Sequence, residues 1–458
     1  MAVVGIVLHQ QHPGKSAENR FGDCRLTGSR APGNADRQRL QAGKARRGVG
    51  HGITLGGWEL RNAIRYPLCA IRQSAVLGSR IADRGIRRVH QMPLDSESGF
   101  ASFLHRNTKE RAPGTPFTPP ITLASVFALP DGIEADHQYG RWSNPTWSAL
   151  EYALEVLERA PSVAFPSGMA ATAAVLYTML GPGDRALIPS DAYYTTRVFA
   201  ERYLVPFGIQ VEVVPTLRIE DHDLAGFKLV WIETPSNPRL DLIDIGKLAR
   251  RSAKAGAILV ADNTTVTPLG QRPLDLGADV VVSSDTKAMN GHSDVVSGHV
   301  ASRRADLVDQ IRQWRNLAGV IPGPFEAWLV HRGLETLEVR FERMCHNAAA
   351  VAETLSRSSR VLSVRYPGLA NHPQYELAQK QMAGFGSVLA VTLSDEATAE
   401  TFIAQCPFIR PTTSFGGVHT SAERRARWGE DVPVGFIRLS LGTEPTDELV
   451  SGIGQALG

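Results

Sequence analysis

Short runs of apolar and β-branched residues alternate with helical patterns through the middle of the chain. Five of these runs predict strands: RALIPS (185–190), QVEVVP (210–215), KLVWIE (228–233), AILVADN (257–263) and DVVVSSD (279–285). Strands that alternate with helices are typical of a parallel sheet with helices on both faces. The pattern therefore predicts a large α/β domain with a mostly parallel sheet, which we place at residues 156–335.

A different pattern follows residue 335. It predicts a long polar helix from Leu337 to Arg357 and separated strands at GSVLAVTL (386–393) and FIRLSLG (436–442). We therefore expect a smaller C-terminal α+β domain at residues 336–458. Upstream, the prolines within residues 113–120 predict an extended segment, because proline restricts its own backbone and that of the preceding residue. We expect this N-terminal arm, residues 92–155, to contact a neighbouring subunit.

Residues 1–91 differ from the remainder in charge. They hold 16 Lys and Arg against 5 Asp and Glu, whereas the remaining residues hold 33 against 41. They are rich in Gly and Arg and show no sustained periodicity, so we interpret them as a mostly disordered basic extension. Three explanations stay open: an upstream extension with Met92 as the true start, an organelle-targeting peptide, and a nucleic-acid-binding tail.

The composition is that of an ordinary globular protein, with 43% hydrophobic and 21% charged residues among 458. The longest uncharged apolar stretch, Met169 to Leu180, is shorter than the roughly 20 residues that span a bilayer. The four cysteines are far apart and lack CxxC spacing, which fits a reducing compartment. The acidic body has no basic stripe with interleaved aromatic residues. We therefore expect a cytoplasmic protein with neither a membrane nor a nucleic-acid partner.

Three positions carry candidate chemistry. Lys287 follows the run DVVVSSD, where a lysine could form an imine with a phosphorylated aldehyde or simply be a solvated loop residue. Ser167-Gly168-Met169 begins a predicted helix whose N-terminus could hold a phosphate or be an ordinary cap. Asp262 ends the run AILVA, where it could pair with a protonated pyridine nitrogen or cap a turn.

Motifs of other enzyme classes are missing from the sequence. No GxGxxG follows a predicted strand, which argues against a dinucleotide-dependent oxidoreductase. There is no GxSxG of a serine hydrolase, and neither HExxH nor paired cysteines indicate a metal site.

Seven segments follow one another along the chain: YGRWSNPT (139–146), SGMAAT (167–172), DAYYTT (191–196), ETPSNP (233–238), ADNTTVTP (261–268), SDTKAMNGHSD (284–294) and IRLSLGTE (437–444). In this order they resemble the Cys/Met-metabolism (transsulfuration) family of pyridoxal-5'-phosphate (PLP) enzymes. The resemblance covers about residues 105–458. It implies a PLP-dependent, aspartate-aminotransferase-like large domain (fold type I) and PLP as cofactor.

The resemblance also implies roles for individual residues. Lys287 would carry the cofactor and move protons, Asp262 would pair with the pyridine nitrogen, and Tyr193 would stack on the ring. Asn237 would contact the ring's 3'-oxygen, and Arg438 would bind the substrate's α-carboxylate; a turn asparagine and a surface arginine are the alternatives. The phosphate would be held by residues of this chain and of a neighbouring one: Gly168, Met169, Ser284 and Thr286, with Tyr139 and Arg141 from the neighbour.

Two segments depart from the family's pattern. Tyr194 and Thr195 stand where most relatives have two glycines. The stretch SFGGVHTSAERRARWG (414–429) places His419 and Thr420 where a glutamate and a serine are common. A histidine can be neutral or cationic near neutral pH. We therefore hypothesise that His419, beside Thr420, contacts the distal end of the substrate.

The resemblance implies a PLP-dependent carbon-sulfur lyase that acts on a small sulfur amino acid. We expect a cystathionine gamma-lyase, which forms cysteine, 2-oxobutyrate and ammonia. Cystathionine beta-lyase, cystathionine gamma-synthase or O-acylhomoserine sulfhydrylase, and methionine gamma-lyase stay open, as does a phosphate-binding regulatory protein without turnover. Shared active sites imply at least a dimer, and the resemblance suggests a homotetramer built from two such dimers.

Overall fold

The computed structural model describes residues 112–130 and 135–458, which form two β-sheets with helices packed against them. The first sheet contains β1 (Ser162–Phe165), β2 (Arg185–Pro189), β3 (Gln210–Val214), β4 (Leu229–Glu233), β5 (Ile258–Asp262), β6 (Val280–Ser283) and β7 (Gly298–Ala301). The second contains β8 (Val361–Arg365), β9 (Val388–Leu393), β10 (Arg410–Pro411), β11 (Ser421–Arg424) and β12 (Phe436–Ser440).

Helices connect and cover these strands. In the described part of the chain they are α1 (Pro145–Glu158), α2 (Gly168–Met179), α3 (Tyr194–Phe199), α4 (Thr216–Ile219), α5 (Ile245–Ala255), α6 (Thr267–Gly270), α7 (Ala305–Ala318), α8 (Pro324–Leu334), α9 (Leu337–Ser356), α10 (Tyr375–Gln381), α11 (Glu396–Gln405) and α12 (Thr446–Leu457). A π-helical turn, Ala200–Leu204, continues α3, and a 3-10 turn, Arg425–Trp428, follows β11.

The first sheet has the order β1-β7-β6-β5-β4-β2-β3. Strand β7 is antiparallel to both of its neighbours, and the other pairs are parallel. Successive residues of β4 pack on opposite faces: Trp231 joins the core beneath α2 and α7, and Val230 joins the core beneath α5. Because both faces are buried, the central strands are continuous apolar runs instead of alternating ones.

The second sheet has the order β10-β11-β12-β9-β8, with β10 parallel to β11 and the remaining pairs antiparallel. Its core is closed by apolar side chains of α9, α11 and α12, such as Val351, Phe402 and Ile453. The sheet brings β12 and the loop before β11 to the carboxyl ends of the first sheet's strands, since residues from both places line one cavity.

The predicted α/β class with a mostly parallel sheet and a smaller C-terminal α+β portion is confirmed. The five predicted parallel strands are β2 to β6, and the predicted C-terminal helix and strands are α9, β9 and β12. Strands β1, β7, β8, β10 and β11 were not predicted. The extension at 1–91 and the first part of the arm, 92–111, lie outside the described residues. No helix in the described ranges is long and apolar enough to cross a membrane.

Candidate active site

A cavity of about 1110 Å³ lies at the carboxyl ends of β4, β5 and β6. Ligands of open α/β sheets commonly bind at this edge, because the loops that follow parallel strands meet there. Nine of the predicted site residues line this cavity: Gly168, Met169, Tyr193, Asn237, Asp262, Ser284, Thr286, Lys287 and Arg438. The other four, Tyr139, Arg141, His419 and Thr420, are described below.

Lys287 projects into the cavity just beyond the end of β6. Its Nζ donates a hydrogen bond to Ser414 Oγ at 3.0 Å and lies 5.0 Å from the centre of the Phe415 ring. Burial lowers the pKa of Lys287 to about 8, with a further contribution from the positive charge of Arg438 and an opposing one from Asp262. A lysine with this pKa is an effective nucleophile near neutral pH, because a useful fraction of the amine is unprotonated.

The N-terminus of α2 forms one wall of the cavity. The Ser167 hydroxyl accepts a hydrogen bond from Ala170 N at 3.0 Å, which caps the helix. A Cβ atom on Gly168 would lie 2.7 Å from Ser284 Cβ, and one on Gly298 would lie 2.7 Å from Gly168 N. Glycine at position 168 therefore allows the helix start to lie directly against the segment that carries Lys287, and glycine at position 298 allows it to lie against β7. Backbone amides at such a helix N-terminus suit a phosphate group.

Two carboxylates are neighbours on adjacent strands, since the buried Glu233 of β4 pairs in register with the partly buried Asp262 of β5. Asp262 Oδ1 accepts a hydrogen bond from Thr264 N at 3.0 Å. Burial raises the pKa of Asp262, and the hydrogen bonds from Thr264 and the charge of Lys287 oppose the increase. Among the described residues, no cation donates a hydrogen bond to Asp262, and a carboxylate held in this way suits a protonated ring nitrogen.

Glu233 has a positioning role that sequence reasoning missed. Its Oε2 accepts a hydrogen bond from Tyr193 N at 2.7 Å, and its Oε1 accepts one from Asn237 N at 2.8 Å. It therefore fixes the backbone of two residues that face the cavity. Burial, followed by the nearby charge of Asp262, raises the pKa of Glu233 well above its ordinary value. The available signal was a charged residue that ends the apolar run KLVWIE, as Asp262 ends the next run.

Arg438 enters the same cavity from β12 and is only 3% exposed. Its Nη1 donates to Asn237 Oδ1 at 3.0 Å, and its Nη2 donates to Glu423 Oε2 at 3.1 Å and to the carbonyl of Thr413. Burial and the nearby Arg425 lower the pKa of Arg438 to about 10, so that the guanidinium stays charged at neutral pH. A buried cation in a cavity suits a carboxylate ligand.

A second group of buried charged residues surrounds His299 of β7 and includes Asp285, two residues before Lys287. His299 Nδ1 lies 2.7 Å from Asp285 Oδ1, and His299 Nε2 lies 3.1 Å from Glu158 Oε1. Burial alone would lower the pKa of His299, but the two carboxylates outweigh it and raise the pKa to about 10. The charged imidazole of His299 in β7 therefore links Glu158 of α1 to Asp285, which lies between Ser284 and Thr286 in the chain.

Four predicted site residues do not line the cavity. Tyr139 is exposed, and Arg141 donates to the carbonyl of Asn316 at 2.7 Å, so neither contributes to the site of its own chain. His419 is exposed as well, and Thr420 is buried with its hydroxyl 2.8 Å from Glu444 Oε2. Within this chain neither His419 nor Thr420 reaches the cavity that holds Lys287, so the structure gives no support to their predicted contact with the distal end of the substrate.

Residues on both sides of His419 and Thr420 do line the cavity. Ser414 and Phe415 precede the pair, and Arg425, Trp428 and Glu430 follow it. In the described ranges, no group of three or more His, Cys, Asp or Glu side chains could hold a metal ion.

The fold and the site together define a PLP-dependent enzyme of fold type I. A reactive lysine, an anion-binding helix start and a buried carboxylate surround one cavity, and these are groups that suit the aldehyde, the phosphate and the ring nitrogen of this cofactor.

Comparisons with known proteins agree with this class. The profile described as "Cys/Met metabolism PLP-dependent enzyme" matches residues 101–458. A Streptomyces coelicolor protein provisionally named as a cystathionine gamma-lyase is 45% identical over 350 residues, which cover 75% of this chain and 89% of that protein. The cystathionine gamma-synthase of Mycobacterium tuberculosis is 40% identical over 357 residues, which cover 74% of this chain and 91% of that enzyme.

A solved structure of cystathionine gamma synthase from Xanthomonas oryzae pv. oryzae, in complex with aminoacrylate and cysteine, has a TM-score of 0.73 and 34% identity. The match covers 80% of this chain and 98% of that one. The chain belongs to the Cys/Met metabolism family of PLP-dependent enzymes.

Proposed function

We propose that the protein is a carbon-sulfur lyase of sulfur amino acid metabolism and that its reaction is the gamma cleavage of L-cystathionine to cysteine, 2-oxobutyrate and ammonia. The observation that carries the proposal is the presence of the Lys287 amine and the Arg438 guanidinium in one cavity with the Asp262 carboxylate. The amine supplies a base and a point of attachment, and the guanidinium supplies an anchor for an amino acid. The family membership narrows this substrate to a sulfur amino acid.

The cofactor, when bound, stabilises negative charge at the substrate's α-carbon by drawing electrons into its ring. Asp262 would hold the ring nitrogen protonated, Tyr193 would stack on the ring, and Asn237 would contact its 3'-oxygen. The N-terminus of α2, through Gly168 and Met169, would hold the phosphate together with the Ser284 and Thr286 hydroxyls.

The remaining steps belong to Lys287 and Arg438. Arg438 would bind the α-carboxylate in a charge-assisted pair and so orient the α-proton towards Lys287. Lys287 Nζ would then take that proton and, for gamma cleavage, return protons to other substrate carbons while the thiol leaves. Cleavage at the beta carbon needs the same groups with one proton shift fewer.

The reaction can be identified from the keto acid that the PLP-loaded protein releases from L-cystathionine. Release of 2-oxobutyrate with cysteine would support the proposal. Pyruvate with homocysteine would make the protein a beta-lyase. Release of neither product would favour a gamma-synthase, a sulfhydrylase, a methionine gamma-lyase or a non-catalytic relative. Lys287→Ala is the control, because it keeps the cavity but removes the base.

We also propose that the active site is shared between subunits of a cytoplasmic homotetramer, as two dimers with paired sites. This rests on the position of Tyr139 and Arg141, which lie outside their own chain's cavity, in an arm that also exposes the side chains of Phe117, Leu123 and Val126. Mixing inactive Arg141→Ala and Lys287→Ala chains under subunit exchange should restore part of the activity, because each hybrid dimer would contain one intact site. Absence of any recovery would show that Arg141 serves its own subunit.

A further inference from the structure

A buried carboxylate lies behind the arginine that faces the substrate site. Glu423 of β11 is directly opposite Arg438 of β12 in the sheet register. The Glu423 side chain is 0% exposed, yet it does not line the cavity. A fully buried carboxylate is costly unless its oxygens are all satisfied, so its contacts indicate what the residue does.

Four donors satisfy Glu423. Its Oε2 accepts from Arg438 Nη2 at 3.1 Å and from Arg425 Nη1 at 2.5 Å. Its Oε1 accepts from Trp428 Nε1 at 2.6 Å and from Arg427 Nη2 at 3.3 Å. Glu423 therefore connects Arg438 to the 3-10 turn after β11, whose residues Arg425 and Trp428 line the cavity.

The charges around Glu423 explain why Arg438 needs this partner. Arg425 is also held by Glu430, so three guanidinium groups meet two carboxylates in this cluster of direct contacts. One positive charge is left over, and both Arg438 and Arg425 line the cavity. Without Glu423, these two buried guanidinium groups would repel each other with no shared carboxylate between them.

We propose that Glu423 is the positioning residue for Arg438, holding its guanidinium in one orientation for the substrate's α-carboxylate and coupling it to the cavity wall formed by Arg425 and Trp428. The inference rests on the proposed function, in which Arg438 binds that carboxylate. Glu423 touches neither substrate nor cofactor in this arrangement. Its effect should therefore fall on amino-acid binding and leave cofactor binding unchanged.

Glu423→Gln tests the inference in the full-length, PLP-loaded protein, because it preserves shape and removes the charge. The matched control is Arg424→Gln. Arg424 is the next residue of the same strand and is also buried, but it pairs with Glu396 and Glu400 of α11 and not with Glu423. We expect Glu423→Gln to raise KM for L-cystathionine about tenfold, equivalent to about 1.4 kcal/mol. Its kcat should stay within about threefold of wild type, and the control's KM should be unchanged.

A pair of inhibitors separates positioning from a general loss of structure. L-Norleucine carries an α-carboxylate, and n-pentylamine is the same molecule without it. Glu423→Gln should weaken norleucine binding about tenfold, as expected for loss of a charged hydrogen bond, and leave pentylamine binding unchanged. Equal losses for both compounds, or a KM that matches the Arg424→Gln control, would overturn the inference.

One further variant keeps the test decisive. If wild type binds PLP but acts on no sulfur amino acid, the proposed function fails, and the binding of norleucine and pentylamine still tests the inference. If Glu423→Gln does not fold, Trp428→Phe replaces it, because Trp428 is 58% exposed and its loss removes one donor from Glu423 without moving a charge. That variant should raise KM about threefold, and an unchanged KM would contradict the proposed coupling.

Discussion

The Lys287 amine should react with the cofactor's aldehyde over a pH range far below that of an ordinary lysine. Burial and the Arg438 charge lower its pKa from 10.5 to about 8. At pH 7, about one amine in ten is then unprotonated, against about one in three thousand for an unperturbed lysine. Because only the unprotonated amine attacks a carbonyl, the difference corresponds to a roughly 300-fold faster reaction at neutral pH, for equal reactivity of the free amine.

Two substitutions should move this midpoint in opposite directions. Arg438→Gln removes a positive charge that disfavours the protonated amine, so the Lys287 pKa should rise. Asp262→Asn removes a negative charge that favours the protonated amine, so the pKa should fall. Arg424→Gln should not move the midpoint, because its contacts are with α11.

The assay mixes cofactor-free protein with PLP and follows the visible absorption of lysine-bound PLP between pH 6 and pH 10. The rate for wild type should rise with pH and level off above about pH 8. The titrations of PLP itself are common to all variants, so the comparison of midpoints isolates the lysine. A wild-type rate that still rises tenfold per pH unit beyond pH 9, or a shift in the same direction for both variants, would refute the reasoning.

Four other substitutions test separate parts of the site. Gly168→Ala should weaken PLP binding about tenfold in an equilibrium titration, because the new Cβ would lie 2.7 Å from Ser284 Cβ and push the helix start away from the phosphate. His299→Gln should destabilise the protein by about 3–5 kcal/mol in a denaturation experiment, since two buried carboxylates lose the cation between them. Thr420→Val should lower the melting temperature without changing KM, and His419→Glu should change neither; a changed substrate preference in either variant would restore the hypothesis that this pair contacts the substrate.

The central strands could be predicted because their physical environment leaves a simple pattern. Strands β4, β5 and β6 are buried on both faces, so their runs are continuously apolar and end in polar residues that line the cavity. Strands β1 and β7 have four residues each, and β7 reads Gly-His-Val-Ala. A histidine in so short a run does not indicate a buried strand, because a buried charge needs a partner. Glu158 and Asp285 balance the charge of His299, and the sequence pattern does not show such a tertiary contact.

The same limit explains why the sequence did not indicate that Arg425, Trp428 and Glu430 line the cavity. Lys287 and Asp262 could be singled out as candidates because each lies at or just beyond the end of a recognisable strand, and the family resemblance then implied their roles. His419 and Thr420 were chosen by their offset from a family motif, and no pattern indicated that β11 begins at Ser421. In a strand, successive side chains point to opposite faces, so which residues face Arg438 depends on the register of β11 with β12. That register places Glu423 opposite Arg438 and leaves Arg424 for α11, and it is fixed by the sheet as a whole.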